Sequence, residues 1–276
     1  MIRGAVGDTG IAYRVDGARD GPALVFSNSL GTDHRLWDRQ LPAVEGRFRV
    51  VRYEACGHGV SDLLRGPVTI ERLGQDLVAL LDHLDIERAV VCGCSLGGVI
   101  ALWLAVNRPE RLTGVVLANT GAKIGTNESW DARIAAVRAG GTGAVRDQVV
   151  GRFLTPEFRA RDPETTSLIA EMIDATSDEG YIAACEALRA TDLRADARSV
   201  RVPVLIVTSE RDQSTPPELS RELHASIDGS ELVMIAEAAH LSNVEQPSLF
   251  NAALVEFLTR TCGLPRAPAV RRRAKP

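Results

Sequence analysis

The feature that most constrains the fold of this 276-residue chain is an alternation of strand-like and helix-like patterns. The strand-like runs are short, rich in β-branched residues and poor in polar ones; they lie at 22–27, 48–53, 89–92, 114–118, 203–208 and 231–235. Helical patterns follow several of these runs, at 69–84, 95–107, 216–227 and 246–260. Apolar runs of this kind are typical of strands covered on both faces, and strands that alternate with helices pair in parallel. The sequence therefore predicts an α/β fold built on a mostly parallel, doubly wound sheet.

Two regions depart from this alternation. The segment 4–16 has the pattern of an antiparallel hairpin at the sheet edge, whereas 121–200 contains helical patterns without a convincing strand. We therefore expect a core formed by 1–120 and 201–262, with a helical cap at 121–200 lying over the end of the sheet. We expect a disordered tail at 263–276; its three consecutive arginines give a basic docking arm as the alternative.

Composition narrows the class of protein further. The net charge of -4 and the pI of about 5.8 provide no broad basic surface for nucleic acid or an acidic membrane. No run of about 18 apolar residues predicts a membrane-spanning helix, and the first ten residues lack the apolar core of a secretory signal. We therefore expect a small-molecule substrate rather than a nucleic-acid or membrane partner. None of these patterns specifies an oligomeric state.

The cysteines indicate a reducing compartment. There are five, an odd number, scattered at positions 56, 92, 94, 185 and 262, which favours free thiols and a cytoplasmic location. Cys92 and Cys94 flank one glycine, a spacing that would suit a metal pair. No further ligands lie at zinc-like spacing, so we expect both to pack as small apolar residues and expect no bound metal.

The strongest chemical signal is the segment 93–98, Gly-Cys-Ser-Leu-Gly-Gly, which follows a predicted strand and begins a predicted helix. In this context the pattern G-x-S-x-G forms a sharp turn that exposes the serine at the sheet edge. The turn forces Ser95 into strained backbone angles and leaves no room for side chains at Gly93 and Gly97. The sequence therefore predicts Ser95 as a nucleophile; the alternative is a glycine-rich helix start capped by a serine.

A serine nucleophile requires a base and an acid that orients the base. His240 follows the last predicted strand, so it should lie at the same sheet edge as Ser95. Asp212 lies in the loop after the strand at 203–208 and would hold the imidazole in the correct tautomer; Glu210 in the same loop is the alternative. The chain order serine, acid, histidine is the order expected with this nucleophile turn.

The remaining site candidates lie in loops. Two backbone N–H groups should stabilise the oxyanion: that of Leu96, next to the nucleophile, and that of Leu30, in the loop after the first core strand. His34 lies in the same loop and is a candidate for lining the site. His58 lies in a glycine-rich turn, where a structural role is expected.

Several of these segments together resemble the 3-oxoadipate enol-lactonases, over residues 10–258. The motifs are Ser-Asn-Ser-Leu-Gly at 27–31, Gly-His-Gly at 57–59, the turn at 93–98, Trp-Asp-Ala-Arg-Ile at 130–134 and His-Leu-Ser-Asn-Val-Glu-Gln-Pro at 240–247. The resemblance implies the α/β-hydrolase fold and hydrolysis of 3-oxoadipate enol-lactone to 3-oxoadipate without a cofactor, in the β-ketoadipate pathway of aromatic catabolism. It also implies Ser95, Asp212 and His240 as the catalytic triad, with Leu30 and Leu96 as oxyanion donors.

The resemblance further implies that Trp130 and Arg133, in the cap, face the substrate. The lactone carries a carboxylate, which a guanidinium can bind through two hydrogen bonds. The alternatives are a solvated surface arginine and a tryptophan that only packs the cap. Glu54 and Cys56 depart from the family pattern, which usually has Asp and Arg there to brace the turn. Other activities therefore stay open: a carboxylesterase or lactonase acting on a related substrate, a cofactor-free perhydrolase, or a non-catalytic binding protein.

Overall fold

An eight-stranded sheet organises the part of the chain that the computed structural model describes, residues 1–6, 9–64 and 66–265. The strands are β1 Ile2–Val6, β2 Thr9–Gly17, β3 Ala23–Ser27, β4 Arg49–Tyr53, β5 Ala89–Cys94, β6 Leu112–Ala118, β7 Val204–Ser209 and β8 Glu231–Ile235. Their spatial order is β1-β2-β4-β3-β5-β6-β7-β8. The pairs β1–β2 and β2–β4 are antiparallel and the others are parallel. The predicted α/β fold with a mostly parallel sheet and an antiparallel hairpin at its edge is confirmed.

Helices follow most of the parallel strands. They are α1 Leu41–Val44, α2 Ile70–His83, α3 Leu96–Asn107, α4 Asn127–Gly140, α5 Gly143–Phe153, α6 Pro156–Arg161, α7 Pro163–Ala175, α8 Asp178–Ala190, α9 Pro217–Ser226, α10 Ser242–Glu245 and α11 Pro247–Thr261. Short 3₁₀ helices lie at His34–Trp37, Pro109–Arg111 and Asp196–Ser199. The start of α2 is fixed by Thr69, whose side chain accepts a hydrogen bond from the backbone N–H of Arg72.

The helices α4 to α8 lie between β6 and β7, and we call them the helical insertion. Residues 121–200, all of which the structure describes, contain no strand. Gly141 ends α4 with a φ of 70°, in the left-handed region that favours glycine. The insertion contacts loops at the carboxyl ends of the strands: the Leu241 N–H donates to the Phe153 carbonyl at 3.0 Å.

The core lies on both faces of the central strands. Every residue of β5 and β7 is buried, and α3 is buried on nearly all sides because its sequence is almost wholly apolar. Burial of each large apolar side chain contributes about 1.5–3 kcal/mol, so these elements form a rigid support for the turn between β5 and α3. Within the described ranges, no helix is long and apolar enough to span a bilayer. The tail prediction falls, from residue 266 onwards, outside the described residues.

Candidate active site

Ser95 occupies the turn between β5 and α3 with the strained backbone that the sequence predicts. Its φ is 54° and its ψ is -113°, a conformation that persists only where the surroundings hold it in place. Two contacts do so: the Ser95 N–H donates to the Ala118 carbonyl at 3.0 Å, and the Ser95 carbonyl accepts from Thr120 Oγ1 at 2.8 Å. The β6 end therefore fixes the turn that presents the serine.

The glycines on either side of Ser95 are required by close backbone approach. A Cβ on Gly93 would lie 2.0 Å from the Gly97 carbonyl oxygen, so the predicted collision within the turn is found. A Cβ on Gly97 would instead lie 2.2 Å from the carbonyl oxygen of Ser27. The second glycine is thus required by the neighbouring strand β3, which the sequence pattern does not reveal.

Asp212 and His240 form a buried pair at the carboxyl ends of β7 and β8. His240 Nδ1 lies 2.8 Å from Asp212 Oδ2, and neither residue is more than 4 % exposed. The carboxylate also accepts hydrogen bonds from the Ser214 and Thr215 N–H groups, from Thr215 Oγ1 and from Asn119 Nδ2. Burial alone would raise the pKa of Asp212, but the charge of His240 and the hydrogen bonds outweigh it and hold this pKa below its usual value. Asp212 is therefore ionised and directs Nδ1–H of His240 toward itself.

The other ring nitrogen of His240 is the one available for proton transfer. Nε2 is buried and has no hydrogen-bond partner among the residues that the structure describes. His240 and Ser95 line the same cavity. The alternative acid, Glu210, is exposed and accepts a hydrogen bond from the Glu237 N–H, so the geometry favours Asp212.

Of the two predicted oxyanion donors, Leu30 lines the cavity that Ser95 lines, and Leu96 directly follows Ser95 in the chain. Leu96 is the first residue of α3, so its N–H has no acceptor within the helix. In the described part of the chain, the Leu30 N–H donates no hydrogen bond, and Leu30 lines the cavity. The arrangement offers two uncommitted donors beside a helix N-terminus, where negative charge is stabilised.

His58 holds the loop that carries Leu30. Its Nδ1 donates to the Cys56 carbonyl at 3.0 Å, and its Nε2 accepts the Gly31 N–H at 3.0 Å. Burial lowers the pKa of His58, which favours the neutral ring that this pair of hydrogen bonds requires. The structural role predicted for His58 is confirmed.

The cavity has a volume of about 820 Å³ and lies between the sheet edge and the helical insertion. Trp130 and Arg133 both line it. The Trp130 indole N–H donates to the Ile124 carbonyl at 2.7 Å, and the Arg133 guanidinium lies 5.4 Å from the Trp130 ring centroid. The two residues predicted to face the substrate are thus brought to the wall of the cavity that Ser95 lines.

His34, predicted as a candidate for lining the site, contacts the turn that contains Glu54. His34 is not among the residues around the cavity, and its Nδ1 lies 2.8 Å from Glu54 Oε1. Glu54 is buried, and its second oxygen accepts the Val60 N–H at 2.7 Å. Cys56 Sγ accepts the Leu64 N–H at 3.1 Å. Glu54 and Cys56, which depart from the family pattern, therefore stabilise the turn through these hydrogen bonds, and His34 takes part in them.

Asp33, His34 and Glu54 place three potential metal-ligand atoms within 4.8 Å of one another. Each of these side chains is already engaged, since Asp33 is bound by Arg35 at 2.6 Å and the other two bind each other. Cys92 and Cys94 are both buried, and burial raises the pKa of each thiol, which disfavours the thiolate that binds metals.

Some residues at the site were not singled out from the sequence. Asn119, directly after β6, is an amide and therefore not a candidate for the acid, although its position at the sheet edge is a usable signal. Arg152 lines the cavity from α5, in a segment without strands to locate it. Glu245 lies inside the motif at 240–247 and binds Ala239 six positions away, but its other partner, Thr155, lies 90 positions away.

Comparison with known proteins agrees with this geometry. Residues 22–247 match the sequence profile of the family described as alpha/beta hydrolase fold. The chain belongs to the α/β-hydrolase family. This α/β-hydrolase is 39% identical to "3-oxoadipate enol-lactonase 2" of Acinetobacter baylyi, over 92% of its own length and 94% of the relative's. It is 36% identical to "3-oxoadipate enol-lactonase 1" of the same organism, over 91% and 93% of the two chains.

A solved structure gives the same result for this α/β-hydrolase. The enol-lactonase from Burkholderia xenovorans LB400 superposes with a TM-score of 0.91 at 40% identity, covering 94% of this chain and 100% of the other. The predicted resemblance to 3-oxoadipate enol-lactonases is confirmed.

Proposed function

We propose that this protein is a serine hydrolase that opens 3-oxoadipate enol-lactone to 3-oxoadipate, a step of the β-ketoadipate pathway of aromatic catabolism. The observation that carries the proposal is the buried Asp212–His240 pair beside a cavity that Ser95, Trp130 and Arg133 also line. The enol-lactonase names of relatives at 36% and 39% identity support the choice of substrate.

The first half of the reaction forms an acyl-enzyme. Ser95 Oγ attacks the lactone carbonyl while His240 Nε2 takes its proton. The N–H groups of Leu30 and Leu96 stabilise the oxyanion, and Asp212 stabilises the imidazolium. The ring C–O bond then breaks, the enol oxygen receives the proton from His240, and the enol becomes a ketone. This last change makes ring opening nearly irreversible.

The second half releases the acid. The leaving group remains tethered within the acyl chain, so a water molecule must reach the ester carbonyl beside it. His240 removes a proton from this water, the oxyanion forms again at the same two N–H groups, and Ser95 recovers its proton as the C–O bond breaks. The scheme uses no metal and no organic cofactor.

Recognition of the substrate carboxylate is assigned to arginines in the cavity wall. Arg133 and Arg152 both line the cavity, and neither forms an ion pair with an acidic side chain of the described residues. Arg194, a further cavity cation, is paired with Asp192 at 2.6 Å. Uncompensated guanidinium groups at a cavity wall attract an anionic lactone and can bind its carboxylate through two hydrogen bonds.

A second candidate is a carboxylesterase acting on a larger, related ester. A cavity of about 820 Å³ lies near the upper end of the range that holds drug-sized ligands, and exceeds what a small lactone fills. The catalytic residues and their roles would be unchanged. Only the size and charge of the preferred substrate would differ.

We also propose how the chain divides into a core and a cap. We assign 1–120 and 201–262 to the hydrolase core and 121–200 to a cap that shapes the cavity, because the cap lacks strands and supplies Trp130, Arg133 and Arg152 to the wall. A cytoplasmic location is supported by the five free cysteines, four of which are buried.

The test is to mix the purified protein with freshly generated 3-oxoadipate enol-lactone and follow the loss of its ultraviolet absorbance. Rapid loss that disappears in Ser95→Ala supports both substrate and nucleophile. No loss, in protein whose Ser95 still reacts with a fluorophosphonate, would retain the serine hydrolase and reject this lactone as its substrate.

A further inference from the structure

Glu245 is a buried carboxylate that the reaction scheme does not use. Its Oε1 accepts the N–H of Ala239 at 2.7 Å, and Ala239 directly precedes His240. Its Oε2 accepts the N–H of Thr155 at 3.1 Å and the Thr155 hydroxyl at 2.6 Å. One side chain at the end of α10 therefore joins the loop of the base to the helical insertion.

Two further contacts cross the same boundary. The Leu241 N–H donates to the Phe153 carbonyl at 3.0 Å. Leu241, after His240, is therefore bound to the segment 153–155 directly, and Ala239, before it, is bound through Glu245. The Phe153 ring is stacked on the His240 ring, with centroids 4.9 Å apart and planes inclined by 27°. Thr155 is itself fixed, because its hydroxyl also accepts the Phe158 N–H and caps α6.

We infer that Glu245 is a positioning residue that sets the place of His240 relative to Ser95 by binding the histidine loop to the insertion segment 153–155. The inference rests on the proposed function only in that His240 is the base. Because His240 Nε2 has no partner in the described part of the protein, the ring is located by Asp212 and Thr215 at Nδ1, by Phe153 and by its own loop. A base must lie within about 2.6–3.2 Å of the proton it takes, and a misplacement of about 1 Å can cost about 100-fold in rate.

The contacts require an acid rather than an amide at position 245. Three donors converge on two oxygens, and a carboxylate accepts all three. A glutamine has one acceptor oxygen, so its NH₂ group must face either Ala239 or Thr155 and leave a buried N–H without an acceptor. Glu245→Gln therefore releases one side of the connection while keeping the volume of the side chain.

Glu157 supplies a matched control. It lies on α6 in the same insertion, and its carboxylate pairs with Arg211, beside the catalytic acid, at 3.2 Å. Both partners are exposed, so this second link between insertion and core contributes little. Glu157→Gln makes the same chemical change in a place where we expect no effect on the base.

The experiment compares Glu245→Gln, Thr155→Val, the double variant and Glu157→Gln in the full chain. For each we would measure kcat and KM on the enol-lactone, the rate constant of Ser95 labelling by a fluorophosphonate, and Tm. We expect Glu245→Gln to lower kcat and the labelling rate by about 10-fold or more, with KM changed less than about twofold. Thr155→Val should lower both rates by a smaller factor, and the double variant should be no slower than Glu245→Gln, because both changes break one connection.

The inference is overturned if the Glu245→Gln protein reacts with the fluorophosphonate at the wild-type rate and differs only in Tm. It is also overturned if the double variant shows the product of the two single-variant rate losses. If Glu245→Gln does not fold, Thr155→Val decides, and an unchanged labelling rate in that variant is contrary to the inference. Failure of the wild type to open the lactone, with the labelling pattern as expected, rejects the proposed substrate and leaves the role of Glu245 supported.

Discussion

Asn119 donates a hydrogen bond from Nδ2 to Oδ2 of Asp212 at 3.0 Å. Its own backbone is in the left-handed region, with a φ of 44°. Its Oδ1 accepts the Ser242 hydroxyl at 2.7 Å, two residues after His240. One buried amide thus contacts both the acid and the loop of the base, from the end of a third strand.

Removal of this amide should slow the chemical step. In Asn119→Gly the backbone keeps its conformation without strain, while Asp212 loses one donor and the Ser242 hydroxyl loses its acceptor. A hydrogen bond to a charged group contributes about 1.5–3 kcal/mol, so we expect kcat to fall by about 10- to 100-fold with little change in KM. Asn119→Ala should lose the same rate and, in addition, stability, since alanine is strained at positive φ. Wild-type kcat in the glycine variant would contradict this role.

Asp212→Asn should remove most of the activity while preserving the fold. The amide can donate to His240 and so stabilise the wrong tautomer, which in serine enzymes of this kind costs about 10⁴-fold in kcat. The matched control is Glu210→Gln, an exposed carboxyl in the same loop, which should behave as wild type. Steady-state rates on the lactone and on a neutral ester test both variants, and the opposite pattern would exchange the roles of the two acids.

The cavity arginines should discriminate between substrates by charge. Arg152→Gln and Arg133→Gln should each raise KM for the anionic lactone by about 10-fold, because a charge-assisted hydrogen bond is lost, and should leave hydrolysis of a neutral ester nearly unchanged. Arg161→Gln is the control, since Arg161 is exposed on α6 and stacks on Phe158 outside the cavity. Equal effects on the anionic and the neutral substrate would mean that these side chains shape the wall without binding the carboxylate.

His58 should make the protein less stable as the pH falls. Its pKa in the folded state is lowered by burial, so the unfolded chain takes up a proton first, and the free energy of unfolding decreases below about pH 6.5. The loss is at most about 1.4 kcal/mol per pH unit and ends at the folded-state pKa. In His58→Gln the side-chain oxygen can still accept the Gly31 N–H without titrating. Urea unfolding at pH 7.5 and 5.5 should show a smaller pH dependence for the variant; equal dependence would exclude His58 as its source.

The central strands were readable from sequence because they are buried on both faces, whereas β8, at the sheet edge, has only Ile235 buried. The run at 231–235 coincides with β8, whereas β3 and β7 begin one residue later than the patterns at 22–27 and 203–208. In both cases the first residue is a proline, which has no N–H for the ladder. The strand β5 extends to Cys94, beyond the predicted 92, because Gly93 and Cys94 still pair with β6 as the chain enters the turn.

The candidate triad could be placed from sequence because parallel strands bring their carboxyl ends to one edge. The direction of a loop side chain follows no such rule, and the contact of His34 with Glu54 could not be predicted from its place in the loop after β3. Contacts between distant loops were also inaccessible: Thr155 and Glu245 lie 90 positions apart, and nothing local in either segment indicates the other. Composition and periodicity predict where the helices and strands lie, whereas only the folded structure shows which side chains contact each other.

The stacking of Phe153 on His240 bears on how such enzymes can be recombined. Phe153 belongs to the insertion, yet its ring packs against the imidazole of His240, the base that the core supplies. A chimera that receives the insertion of a relative would exchange part of the environment of its base along with the substrate pocket. The segment 153–155 and the loop with Glu245 therefore form one transferable unit, and grafts that divide it would be expected to fold and bind but turn over slowly.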